Sequence, residues 1–105
     1  MALTDVRKVH MLGIAGIGMS ALARYFKASG IEVSGYDRDR SDLAVELEKE
    51  GMNIHYEINS NLVPQWPDVV VYSPAISRNH PEIALLAARG IPVMMRSEML
   101  GLISR

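Results

Sequence analysis

The 105-residue chain contains no cysteine. A disulfide scaffold, a thiolate zinc site and redox chemistry at sulfur are therefore excluded, and the composition suits a reducing compartment. Neither sign of charge is in excess: 11 Lys and Arg stand against 12 Asp and Glu, for a formal net charge of −1. No block of basic residues supplies a nucleic-acid footprint, so no nucleic acid is expected as a partner. Long hydrophobic runs are also missing. The N-terminal MALTDVRKVHML sets Asp5, Arg7 and Lys8 before a very short apolar run, which is neither a signal peptide nor a membrane span. No membrane partner is expected, and a cytoplasmic location is. Among catalytic signatures there is no G-x-x-x-x-G-K-[ST] loop for ATP, no H-E-x-x-H pair, and no Ser/His/Asp set that can be assembled. No residue is assigned a catalytic or metal-ligating role.

What is present is the balance of an ordinary globular domain, with 49% hydrophobic and 22% charged residues, and the length suits one small domain over residues 1–105. Apolar runs of strand length, at 9–14, 31–36, 52–56, 68–73 and 91–96, alternate with helical segments after Ile17, over 41–50, from about Pro81 to Arg89, and after Arg96. That alternation predicts βαβ units and an α/β fold: a Rossmann-like, doubly wound, five-stranded parallel sheet in the order 3-2-1-4-5 with helices on both faces. Met19, Leu22, Ala23 and Phe26 fall at i, i+3, i+4 and i+7 and predict the buried stripe of the first helix. Ser41 is the expected N-cap of the second helix. Asn79 with Glu82 three residues on predicts a capping box for the third.

The chemistry concentrates in GIAGIGMSA, residues 13–21, which joins the first strand to the first helix. Gly16-Ile17-Gly18-Met19-Ser20-Ala21 reads G-x-G-x-x-A: one glycine for the turn, one for close approach of a pyrophosphate, and alanine for tight helix–strand packing. Free N–H groups at such a helix start point at an anion. Ser20 either donates to a phosphate oxygen or caps the backbone. Asp37 ends the second strand 21 residues after Gly16, close to the ~20 expected of a ribose-binding acid. The competing reading is a tight turn with no ligand, with Asp37 a solvated turn residue.

Ligands of this fold bind outside the carboxyl ends of the strands, here between strands 1 and 4. Ser73 opens the loop after strand 4 and is expected across the crevice from the glycine turn, either meeting a ligand or simply preceding Pro74. Arg96, the last residue of strand 5, and Glu98 just after it are read as a local salt bridge at the same end of the sheet. The three histidines look scattered. His10 and His55 are taken as packing residues of strands, and His80 as a surface residue at a helix start.

Four segments, H-M-L-G-I-A-G-I-G-M-S-A-L-A (10–23), S-G-Y-D (34–37), V-V-Y-S-P-A-I (70–76) and R-S-E-M-L (96–100), resemble the N-terminal domain of the UDP-N-acetylmuramate–L-alanine ligase family. The resemblance implies one domain of a larger three-domain, ATP-dependent peptidoglycan-building ligase, with the domains that bind ATP with Mg2+ and L-alanine lying outside these residues. No cofactor is expected in this domain. It implies a crevice for UDP-N-acetylmuramate, with the diphosphate at Ala15, Gly16, Ile17, Gly18, Met19 and Ser20, the uridine end at Asp37, the opposite wall at Ser73, Ala75 and Ile76, and Arg96 and Glu98 facing the ligand from the fifth strand. The isolated domain is expected to bind and not to catalyse. Ala15 stands where the family commonly has glycine, and Glu57-Ile58 where it often has Gly-His. Alternatives are the related murein-peptide recycling ligase and an NAD-binding or nucleotide-sensing module, which this five-stranded chain fits less well because dinucleotide folds add a second half.

Overall fold

A computed structural model describes residues 2–104. The apolar runs become strands β1 (Lys8–Leu12), β2 (Glu32–Tyr36), β3 (Asn53–His55), β4 (Val69–Tyr72) and β5 (Val93–Met95). Between and after them lie helices α1 (Ile17–Ala28), α2 (Asp42–Lys49), α3 (Pro81–Ala88) and α4 (Arg96–Ile103). All pairings are parallel and the order is β3-β2-β1-β4-β5, as the alternation predicts.

Because side chains alternate across a strand, the sheet has two unlike faces. Val9, Met11, Val33, Val69 and Val71 join Met19, Leu22, Ala23 and Phe26 of α1, Leu47 of α2 and Met99 of α4 in one apolar cluster. The other face, carrying Leu12, Tyr36, Val70 and Tyr72, packs against Leu86 of α3. His10 falls in register on this second face, beside Ser34 of β2.

The elements differ from expectation at their ends. β1 stops at Leu12, two residues early, because Gly13 adopts φ +81° and turns the chain; its N–H and that of Ile14 both donate to the Tyr36 carbonyl, at 2.8 and 3.2 Å. This turn fits only because β2 has glycine beneath it: a Cβ on Gly35 would come within 2.7 Å of Ile14 Cδ1 and of the Met11 carbonyl. Arg96 is the first residue of α4 rather than the end of a strand. Ser41 caps α2 as expected, accepting from Ala44 N–H. Asn79 does not cap α3; His80 does, its Nδ1 accepting from Glu82 N–H at 3.1 Å. The Glu82 carboxylate is engaged elsewhere.

A cleft at the carboxyl ends of the strands

The crevice predicted between β1 and β4 exists as a cleft of about 420 Å³ whose lining includes Gly13, Gly16, Asp37, Ser73, Ala75 and Ile76, and also Tyr36 and His80. Its two walls touch. A Cβ on Gly13 would lie 2.7 Å from Ser73 Oγ and 3.3 Å from Ile76 Cγ1, so the loop after β4 closes directly on the glycine turn. Asp37, the first residue after β2 rather than its last, braces the same turn, its carboxylate accepting from Ala15 N–H at 2.9 Å. The turn is thus held from both sides.

The start of α1 has no side-chain cap, so its first N–H groups lack intrahelical partners and the positive end of the helix dipole is open. Ile17 projects its side chain outward, 88% exposed. Met19 is buried in the core and leaves only its backbone for a ligand. Ser20 spends its hydroxyl on the Ile17 carbonyl at 2.8 Å, the backbone option rather than a free donor. Above this helix start lies Arg96, whose guanidinium carbon and Nη1 would be 2.8 Å from a Cβ on Gly18.

Arg96 and Glu98 do not pair. Glu98 turns back to accept from Met95 N–H at 3.0 Å, capping its own helix. Among the described residues the Arg96 guanidinium makes no ion pair. A cation with no carboxylate, resting on the positive end of one helix and beginning another, is an arrangement that an anion would relieve.

The structure also gathers what the sequence scatters. Glu82, 2% exposed, sits on α3 with its two carboxylate oxygens accepting from His10 Nε2 at 2.8 Å and His55 Nε2 at 2.7 Å. An ionised carboxylate only accepts, so both Nε2 atoms carry protons, and His10 Nδ1 is left to accept from Ser34 Oγ at 2.8 Å. His80 is no surface residue: its ring packs on Tyr36 with centroids 4.9 Å apart, and its Nε2 is buried without a partner among the described residues. Lone histidines in separate strands give no sequence signal of this cluster; only the parallel register, His10 beside Ser34 and Tyr36 beside His55, brings them together.

Burial pushes the Glu82 pKa up, but the hydrogen bonds and charges of His10 and His55 outweigh it and hold the group at about 2, against an ordinary 4.5. Burial moves His10 below its ordinary 6.5, and the bond to Glu82 opposes this only in part. Both groups have lower pKa values folded than unfolded, so both contribute stability that is complete above 6.5 and is lost on acidification. His10 loses its share below 6.5 and Glu82 between 4.5 and about 2. Thermal unfolding followed by circular dichroism should show a Tm that falls steadily from about pH 7 to about pH 3; a flat profile would contradict the buried network.

Residues 8–105 match the family described as Mur ligase family, catalytic domain. The chain belongs to the Mur ligase family. It is 46% identical over 110 residues to UDP-N-acetylmuramate–L-alanine ligase of Parabacteroides distasonis, covering 100% of this chain and 24% of that protein. Among solved structures it resembles UDP-N-acetylmuramate–alanine ligase MurC of Thermotoga maritima, with a TM-score of 0.80 and 30% identity over 89% of this chain and 21% of that one. A murein peptide ligase of Psychrobacter arcticus also matches, at TM-score 0.74 and 28% identity over 83% of this chain and 18% of the other. The chain thus spans about a quarter of the length of the curated Mur ligases it matches, and none of its helices is long and apolar enough to cross a membrane among the described residues.

Proposed function

We propose that this chain is the UDP-sugar-binding part of a UDP-N-acetylmuramate–L-alanine ligase. The observation that carries the reading is the Arg96 guanidinium, without an ion pair among the described residues, over the uncapped start of α1. In this reading the diphosphate takes the N–H groups of Ile17, Gly18 and Met19, since those of Gly16 and Ser20 already donate to the Gly13 and Gly16 carbonyls, together with the Arg96 fork, which suits bidentate phosphate recognition. The uridine end lies toward Asp37, and Ala15, Ser73, Ala75 and Ile76 shape the cleft. Glu98 acts through the α4 cap rather than by touching the ligand, because its carboxylate is committed to Met95 N–H.

In the complete protein, ATP with Mg2+ would activate the muramate carboxylate and the L-alanine amine would attack it, in the cytoplasm, with groups outside these residues. Binding here supplies orientation remote from the reacting carbon, so this chain alone binds the nucleotide and catalyses nothing. The 46% identity to an L-alanine ligase favours that enzyme over the murein-peptide ligase.

A titration followed by amide chemical shifts, with UDP-N-acetylmuramate, NAD and ADP at equal concentration, tests the assignment. Shifts at Gly16 to Ser20 and Asp37 with the uridine ligand alone are expected. Stronger binding of NAD would overturn it. Arg96→Ala should weaken the uridine ligand by roughly 10- to 100-fold, the size of a charge-assisted hydrogen bond, and raising the salt concentration should weaken the parent protein in the same direction.

A further inference from the structure

We propose that His10, His55 and Glu82 form a binding site for a zinc-class divalent cation on the α3 face of the sheet. The three side chains come from β1, β3 and α3, and their nearest donor atoms all lie within 4.8 Å of one another. Movements of about 1 Å bring two imidazole nitrogens and one carboxylate oxygen to the ~2.0–2.2 Å that zinc requires. Two nitrogens and one oxygen, with no thiolate, select Zn2+, Co2+, Ni2+ or Cu2+ over Mg2+ or Ca2+. The set carries one negative charge when both rings are neutral, which lowers the cost of bringing a dication into a buried position.

The proton bookkeeping also favours binding. Each Nε2–H now points at Glu82; on coordination that proton leaves Nε2 and one is taken up at Nδ1 of the same ring, so no net proton need be released. At His10 the new Nδ1–H meets Ser34 Oγ, which already lies 2.8 Å away and changes from donor to acceptor by rotating its hydroxyl. A hydrogen-bonded partner on the far nitrogen is the usual support of a metal-bound histidine. Entry is from the edge of the sheet, where His55, Ser34 and Asn53 line an open cleft and the His55 side chain is 11% exposed. Once in place, the ion would tie edge strand β3 and central strand β1 to α3.

Two of the chain's three histidines belong to this cluster, the third, His80, has its Nδ1 engaged at the start of α3, and there is no cysteine, so coordination in tag-free protein can be traced to His10 and His55. Titration of the tag-free chain with Co2+ should give visible ligand-field bands saturating at one equivalent, and Zn2+ should displace the Co2+. Nitrogen-15 spectra should show His10 and His55 passing from the Nε2–H to the Nδ1–H tautomer, with Mg2+ causing neither change. His55→Ala, a substitution on an edge strand, should weaken Co2+ at least about 100-fold. Absence of ligand-field bands in the parent chain overturns the site and leaves Glu82 as a hydrogen-bond hub alone; bands that persist unchanged in His55→Ala overturn it equally.

Discussion

Glu82→Ala should lower the stability of the fold by about 3–5 kcal/mol, the size of effect expected when one member of a buried charged pair is removed. The loss has two parts. His10 is fully buried and would be left with an N–H that no protein group accepts, while His55 would lose its bond at 2.7 Å. A cavity then opens between α3 and the sheet. Urea denaturation monitored by tryptophan fluorescence and circular dichroism gives the value directly. Glu82→Gln is the informative partner: its amide offers one accepting oxygen and one donating nitrogen, so it satisfies one histidine and faces the other with a donor. An intermediate loss is expected. A loss below about 1 kcal/mol for the alanine variant, the scale of an ordinary surface change, would show that the carboxylate is not the hub the distances imply.

Gly18→Val should abolish UDP-N-acetylmuramate binding, by about 100-fold or more, while shifting Tm only slightly. A side chain at this position meets the Arg96 guanidinium at 2.8–3.2 Å. That atom group is the free end of a flexible side chain, so the fold yields cheaply by swinging Arg96 aside. Binding does not yield cheaply, because the displaced cation is the one proposed to hold the diphosphate and the new methyls occupy the space through which a phosphate approaches the helix start. Calorimetric titration beside a melting curve separates the two effects. A Kd within a factor of three of the parent would place the diphosphate elsewhere.

The features that were legible in the sequence are those governed by local chemistry. Strand and helix alternation, the Met19–Phe26 stripe and the Ser41 cap each depend on a few neighbouring residues, and the sheet order follows from chain handedness. The closing of the crevice was legible in part: Gly16, Asp37, Ser73, Ala75 and Ile76 do line one cleft, because strand ends in a parallel sheet converge whatever the loops contain. Side-chain allegiance was not legible. Glu82, three residues after Asn79, suits a capping box, yet a carboxylate facing two histidines gains more from them than from a helix end. The Arg96–Glu98 pair failed for a similar reason: Glu98 is better placed to cap the first turn of α4 than to reach across it. His80 looked exposed because its helix start is exposed, whereas its ring folds inward onto Tyr36.

The unlike faces of the sheet carry a consequence for how sequences of this domain can drift. On the α1 side the requirement is volume and apolarity, and Val, Ile, Leu and Met exchange there one at a time at modest cost. On the α3 side the requirement is directional: His10, Ser34, His55 and Glu82 each complete a neighbour's hydrogen bonding, and a partly satisfied buried network is worse than either a complete one or none. Change on one side can be piecemeal. On the other it must be concerted, so relatives should either retain the whole quartet or replace it together with apolar residues, and a chain caught between the two would be a poor folder.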